Sequence, residues 1–378
     1  MKIAVLGCGL VGSAMALDLA RTGHQVKVAD LNQSSFERLN GGDEITTIQG
    51  DLSQADVIQN VIADSDIVIG AVPGFMGYQT VKTVLEAKRD IVDISFFPED
   101  PFALQDIAGQ NGVTAILDCG VAPGFSHVAF GYLSHWFDEP QRLACYVGGL
   151  PAVRVKPFEY RIVFSALDVI EEYTRPARIV ENGSIVIKEA LSEIEQINFP
   201  GVGTLEAFNS DGLRSLTRTL GVPHMIEKTM RYPGHAEKMK LLREVGLLDK
   251  EPVLVDGEKV IPLHLTAELL FPQLKLEDSE DDLTIMRIVG EGQKAGKRQR
   301  VTFDLLDRRD PETGITSMAR TTGYTATSVT ELFLQDKIKR RGFILPEHLG
   351  QENGFIELLL DELESRGVIY KKTVEVIA

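Results

Sequence analysis

Gly7, Gly9 and Gly12 stand at the spacing G-x-G-x-x-G inside the opening stretch Lys2-Ile3-Ala4-Val5-Leu6-Gly7-Cys8-Gly9-Leu10-Val11-Gly12. The chemistry of that spacing is phosphate binding. The first glycine admits a tight turn, the second lets a pyrophosphate approach the backbone, and the third lets a helix pack close on the strand. The residues that follow, Ser13 to Ala20, have helix composition, so Leu10 and Val11 fall where a helix start offers N–H groups and partial positive charge to phosphates. A glycine turn also arises for plain turn geometry, and a ligand-free doubly wound fold is the competing reading. The context favours a dinucleotide. Gln25-Val26-Lys27-Val28-Ala29 reads as a second strand and ends on Asp30, eighteen residues past Gly12. A carboxylate there accepts from both ribose hydroxyls and repels a 2′-phosphate. Leu31 to Ser35 brings no Arg or Lys to welcome that phosphate, so the expectation is NAD, with NADP less favoured.

The elements that must position these groups follow a βα alternation. Ile45 to Gln49 reads as a third strand, and an amphipathic helix runs from Ser53 to about Ala63. Between them, Asp51 is placed to bond adenine N6 and Leu52 to cover its face, although Asp51 or Ser53 equally suits a helix cap. Asp66 to Gly70 is apolar enough to be buried on both faces. It runs into Ala71-Val72-Pro73, at the sheet edge where ligands of open α/β sheets bind, beside the expected nicotinamide ribose. Asp90 to Ser95 and Val113 to Leu117 complete the two mononucleotide halves, and Asp118-Cys119-Gly120 leaves the sixth strand near the expected reactive ring. The fold expected for residues 1–122 is therefore α/β, a doubly wound parallel sheet of Rossmann type.

After Pro123-Gly124 the pattern changes. Phe125 to Trp136 reads as a helix. Arg142 to Gly148, Tyr160 to Ser165, Ala177 to Glu181 and Ser184 to Lys188 read as strands, the last two flanking the hairpin signal Asn182-Gly183. Ile285 to Val289 and Gln299 to Leu306 suggest another hairpin, its polar loop holding Gly292 and Gly296. The basic cluster Lys294, Lys297, Arg298 and Arg300 is read as its solvated tip. Residues 123–317 are thus expected to form an α+β substrate domain on a mostly antiparallel sheet. Residues 318–378, with helical runs at Tyr324 to Ile338 and Gly354 to Glu364, are expected to return to the first domain.

A formal charge of −16 argues against nucleic-acid or anionic-membrane partners. Cys8, Cys119 and Cys145 have no metal-ligand spacing and suit a reducing compartment, the histidines have none either, and no metal is expected. No apolar run reaches membrane-spanning length. The first strand starts where a signal peptide's basic segment would stand, so a cytoplasmic protein is the expectation.

With these segments in view the chain resembles the saccharopine dehydrogenase family, and within it the lysine 6-dehydrogenase branch. The residues that carry the likeness are the glycine turn, Asp118 to Gly124, Gly148 to Pro151, Asp168 to Ala177, Gly203 to Phe208 and Met230 to Glu237. The resemblance covers nearly the whole chain in order. It implies NAD-linked oxidation at the amine carbon of a lysine-like amino acid, with the imine hydrolysing to a semialdehyde that cyclises to a piperideine carboxylate. It also implies a homodimer. Saccharopine reductases and carboxynorspermidine dehydrogenases look like the same scaffold. A regulatory module that binds dinucleotide without turnover is the reading from another class.

Hydride leaves an amine carbon readily only when the nitrogen lone pair is free, so an ammonium must first lose a proton. His127, just past the Gly120–Gly124 loop, is the first candidate for the base, against a packing or capping role. His235, after Pro233-Gly234, is the second. An amino acid also needs a cation for its carboxylate, and Arg175, Arg214 and Arg231 are the candidates, each able instead to brace the fold. Glu206 and Asp211 are the candidates for the α-ammonium, against pairing at a sheet edge. Cys119 reads as a small residue beside the ring and not as a nucleophile.

Overall fold

The computed structural model describes residues 1–39, 44–163, 166–277 and 279–377. The chain forms two compact units. The first begins with β1 (Lys2–Leu6), α1 (Leu10–Arg21), β2 (Gln25–Asp30), β3 (Ile45–Gln49), α2 (Ala55–Ile62) and β4 (Ile67–Gly70). It continues through α3 (Gly74–Glu86), β5 (Asp90–Asp93), α4 (Gln105–Asn111), β6 (Ala115–Ile116) and α5 (Phe125–Trp136). The strands pair in parallel in the order β6-β5-β4-β1-β2-β3, so the direction of winding reverses between β1 and β4. All four β4 residues are buried, which is why that strand reads as a continuous apolar run. The fifth strand is shorter than the Asp90–Ser95 reading because Asp93 folds its carboxylate back to accept from the N–H and hydroxyl of Ser95, closing a turn.

The second unit contains β7 (Glu139–Pro151), α6 (Ala166–Thr174), β8 (Ala177–Glu181), β9 (Ser184–Lys188), β10 (Glu195–Phe199), β11 (Gly203–Asn209) and α7 (Leu216–Thr219). Then come β12 (His224–Arg231), α8 (His235–Glu244), β13 (Val253–Val255), β14 (Glu258–Val260), α9 (Pro262–Leu274), β15 (Asp282–Lys294) and β16 (Lys297–Arg308). The main sheet runs β10-β11-β12-β7-β15-β16, with β8 and β9 attached to β12. Among the described pairings β12 and β7 run parallel and the others that join β7, β8, β9, β10, β11, β12, β15 and β16 run antiparallel, so the sheet is mixed and mostly antiparallel. The Asn182-Gly183 turn joins β8 and β9 with both residues at positive φ.

Two expectations are corrected by the fold. Tyr160 to Ser165 is not a strand among the described residues: Ile162 makes one isolated bridge to Lys275, and Phe164 and Ser165 lie outside the described residues. Side chains hold that segment instead, with Arg161 forked onto Glu280 and Tyr160 fully buried. The β15–β16 connection is a two-residue turn at Ala295-Gly296, not a longer loop, and Gly292 sits inside β15 where the register shifts. Arg298 and Arg300 reach Glu291.

The chain ends with α10 (Ser317–Leu334), β17 (Phe343–Ile344), α11 (Pro346–Gly350), α12 (Phe355–Ser365) and β18 (Tyr370–Val376). Ala319–Tyr370 belongs to the first unit, where β17 adds a seventh strand beside β6. The boundary read at 123 moves to Phe137, because α5 packs on α11 in the first unit. That contact is backbone to backbone: a Cβ on Gly350 would fall 1.9 Å from the Val128 carbonyl oxygen. The last strand, β18, joins the second unit's sheet beside β16. Among the described residues no helix is long and apolar enough to cross a membrane.

In the first unit, buried Asp18 of α1 accepts from Thr327 of α10 and from Arg366, which follows α12, at 2.8 Å. Removing one partner of such a pair leaves a desolvated charge. Arg366→Ala should therefore lower stability by about 3 kcal/mol. In thermal unfolding that is a drop of roughly 6–12 °C for a domain of this size, and an unchanged midpoint would remove this pair from the forces holding the unit.

Candidate active site

In the first unit the glycine turn closes at the carboxyl ends of β1 and β4. Gly7 has φ +108°, and a Cβ there would lie 2.4 Å from the Ala71 carbonyl oxygen. A Cβ on Gly12 would lie 2.1 Å from the Gly7 carbonyl oxygen. Both contacts are with backbone, so neither can be relieved by a rotamer change. Gly9, by contrast, has open space where a side chain would be, and it caps α1 with no side-chain hydrogen bond. Gly9 and Leu10 are exposed and Val11 is half-buried, leaving an accessible helix start of the kind that takes an anion. The residues present therefore fit a pyrophosphate.

Asp30 ends β2 beside this turn. One carboxylate oxygen accepts from Cys8 N–H at 2.7 Å and the other from Asn32 N–H at 2.8 Å. Each oxygen keeps a lone-pair direction for a further donor. Burial, followed by the Asp30 charge, pushes the Cys8 thiol up to about 12, so it stays a thiol. Cys8 also touches the Ser35 carbonyl, and exposed Arg38 stands one 3₁₀ turn beyond Ser35.

The other nucleotide-side candidates divide. Asp51 accepts from Ser53 N–H at 2.9 Å, the geometry of a turn cap, and hydrogen bonds from Ser53 hold its carboxyl below the usual range. Leu52 is buried in the first unit's core. Ala71 continues the β1–β4 pairing, Val72 is buried, and Pro73 is the exposed cap of α3. Asp118 is buried at φ +52°, Cys119 N–H donates to Asp93 O at 2.9 Å, and Gly120 N–H donates to Pro123 O at 3.0 Å, so this loop is held at the same sheet edge. Burial raises the Cys119 thiol far above its ordinary value, with Asp93 and Asp118 adding to the effect. His127 is fully buried at the start of α5, Nδ1 3.1 Å from Ser126 Oγ.

In the second unit, β12 places Glu227, Thr229 and Arg231 at alternate positions, hence on one face, and all three are buried. Arg231 is paired in register with Glu206 of β11. Its guanidinium donates to Met230 O, pairs with Glu172 of α6, and lies 4.5 Å over the Tyr160 ring. Glu206 accepts from Gly234 N–H at 3.0 Å and Ala236 N–H at 2.6 Å, holding the first turn of α8. Asp211 takes a bidentate pair and a backbone N–H from Arg178. Arg175 pairs with Glu171 one turn back along the chain. Arg214 is buried in the left-handed region at φ +43°.

His235 Nδ1 lies 2.7 Å from the Phe158 carbonyl oxygen, which can only accept, so Nδ1 carries the hydrogen. Nε2 must then accept, and Tyr173 O–H donates to it at 2.8 Å. Burial, with Arg231 next, pushes this histidine down to about 3. The structure thus brings Glu206, Arg231 and His235 into one buried group with Tyr160, Glu172 and Tyr173, while Arg175 stands apart. Glu172 and Tyr173 are within reach of sequence reasoning, in the run beside Arg175. Glu227 gives no signal, because it sits in an alternating strand next to Lys228.

A family model described as the saccharopine dehydrogenase NADP binding domain matches residues 3–116. Another, described as the saccharopine dehydrogenase C-terminal domain, matches residues 120–368. Saccharopine dehydrogenase [NADP(+), L-glutamate-forming] of Saccharomyces cerevisiae is 26% identical over 263 residues, which is 65% of this chain and 58% of that protein. The mitochondrial alpha-aminoadipic semialdehyde synthase of Rattus norvegicus is 24% identical over 268 residues, 66% of this chain and 29% of that protein. The chain therefore spans less than two thirds of the length of these curated relatives. The apo saccharopine dehydrogenase (L-Glu forming) structure from Saccharomyces cerevisiae shares the fold, with a TM-score of 0.81 at 19% identity over 99% of this chain and 100% of that one.

The His235 geometry carries a pH consequence. A histidine held neutral in the fold binds its proton more readily when unfolded, so its contribution to stability is complete above about pH 6.5 and is lost as pH falls toward 3. Stability should decline by up to about 1.4 kcal/mol per pH unit across that window from this group. His235→Gln should flatten the decline in urea titrations, and an unaltered slope would mean that the imidazole is charged in the fold.

Proposed function

The chain belongs to the saccharopine dehydrogenase family, and on that premise we propose that it is a pyridine-nucleotide-linked oxidoreductase acting at the amine-bearing carbon of a lysine-like amino acid. The single observation that carries the proposal is the open, uncapped helix start behind Gly9, with the Asp30 carboxylate beside it. When bound, the nicotinamide ring supplies the hydride acceptor. The chain's own groups hold the phosphates at the N–H groups of Leu10, Val11 and Gly12, receive the ribose at Asp30, and border the ring with Ala71 to Pro73 and Asp118 to Gly120. His127 is the proposed base that frees the amine lone pair. His235, whose lone pair is taken by Tyr173, is proposed to position that tyrosine and Arg231. Arg214 is the arginine proposed for the substrate carboxylate, being buried beside Glu227; Glu206, Asp211 and Arg231 are proposed to shape the site while bracing it.

The substrate proposed first is lysine. Its C6 gives up hydride, the imine hydrolyses to ammonia and a semialdehyde, and the aldehyde closes on the α-amine. A second reading, oxidation of the secondary amine of saccharopine, is favoured by the name of the Saccharomyces cerevisiae relative. An absorbance assay for reduced nicotinamide against lysine, ornithine, saccharopine and diamines decides between them. Lysine turnover with ammonia release supports the first, saccharopine turnover the second. Tight dinucleotide binding with no turnover of any amine would make the protein a sensor. Assembly as a homodimer and a cytoplasmic setting are part of the same proposal, the former checked by sedimentation.

NAD is proposed over NADP because Asp30 would face a 2′-phosphate. The NADP(+) relatives and exposed Arg38 support the opposite choice. Asp30→Ala should weaken NADH binding by about 10–100-fold, the loss of hydrogen bonds to a charged group, and leave NADPH binding nearly unchanged. Equal losses in fluorescence titrations would withdraw the NAD assignment.

A further inference from the structure

Glu227 is 5% exposed, and among the described residues the interactions that act on its carboxyl group are charges at a distance, with no hydrogen bond. The chain has made room for it. Gly212 lies where any side chain would collide, since a Cβ there would fall 1.4 Å from Glu227 Oε1. Three carboxylates converge on this end of the β12 face. The Asp211 charge is matched by Arg178 and the Glu172 charge by Arg231. Arg214 is close enough to favour the ionised form of Glu227, yet it forms no hydrogen bond with it. From β7, Cys145 faces the same group, a thiol raised by its own burial and then by the Glu227 charge. Burial first, then Asp211 and Glu172, push Glu227 up to about 8, so at neutral pH it holds a proton that a bound cation would displace.

We propose that Glu227 receives the primary ammonium group of an amino-acid ligand inside the second unit. The proposal rests on the reading of the substrate as an amine. The ammonium donates to the carboxylate, and the proton that Glu227 carried passes to solvent, so charge balances within the pocket. The Thr229 and Arg231 positions on the same strand face extend the polar lining away from it.

Calorimetry on the full chain, with reduced dinucleotide present to prevent turnover, tests this with L-lysine as the probe and saccharopine and putrescine as further probes. At about pH 7, titrations in buffers of different ionisation enthalpy should show release of close to one proton per bound amine. Affinity should rise toward tenfold per pH unit between about pH 6 and 8. Glu227→Gln should bind the amine about 10–100-fold more weakly, release no proton, and keep its dinucleotide affinity and melting temperature. Binding without proton release, wild-type affinity in Glu227→Gln, or no binding of any amine would each overturn the assignment. Should Glu227→Gln fail to fold, Glu227→Asp and the wild-type proton count decide the same question. Amine binding with proton release but no turnover would leave Glu227 in place while removing the oxidoreductase reading. Turnover with an unaltered KM in Glu227→Gln would do the reverse.

Discussion

The first unit depends on a backbone contact that no side chain can share. Between β1 and α1 the chain must turn tightly enough to bring Gly12 against the Gly7 carbonyl and Gly7 against the Ala71 carbonyl. Those contacts set the distance from α1 to the sheet and aim its first turn across the ends of β1 and β4, where the winding of the sheet reverses. Because Gly9 offers no capping side chain, the first N–H groups of the helix lack the partner a Ser or Asp would have supplied. With glycine at the cap position this forgoes only a few tenths of a kcal/mol. A turn this constrained that also leaves its donors open is better explained by an anion that uses them than by folding alone.

The second unit treats its polar groups in the opposite way. Burying a charged row on a sheet face is unfavourable unless each charge is matched and hydrogen-bonded. Here Glu206 holds the first turn of α8, Arg231 is enclosed by Glu172, Tyr160 and its own strand's carbonyl, and Asp211 is clasped by Arg178. Residue types that suggest substrate chemistry are therefore engaged in holding strands and helices in register. The same matching isolates Glu227, whose two acidic neighbours already have their counter-charges.

How far the fold and the site are legible in the sequence follows from the range of the forces involved. The parallel sheet is plain because its central strands β1, β4 and β5 are buried on both faces and its turns are punctuated by glycine and proline, all local signals. The β8–β9 hairpin is equally plain from Asn182-Gly183, where two positive φ values are required. Tyr160 to Ser165 misleads because its apolar residues are anchored by distant partners, Arg231 above one ring and Glu280 on the intervening arginine, and such anchors have no periodicity. The grouping of α5 is hidden for the same reason, since the glycines that let it meet α11 are more than two hundred residues apart. Among the candidate site residues, those at the glycine turn can be read by spacing. The partners of Glu206, Asp211 and His235 cannot, because pairing across strands is set by register.

On the proposed reading the chemistry turns on a single proton. Oxidation at an amine carbon needs a neutral nitrogen, so on the proposed reading one proton must leave the substrate before hydride does. His235 is unsuited to hold it: its free lone pair is occupied by the Tyr173 hydroxyl, and burial beside Arg231 disfavours a second positive charge. Cys8 and Cys119 are held as thiols by burial beside carboxylates, which removes them as acceptors as well. His235, Cys8 and Cys119 are thereby set aside, and His127 stays the proposed base. Glu227, which burial and its acidic neighbours keep protonated near neutral pH, is on the same reading suited to receive a cation and not to serve as that base.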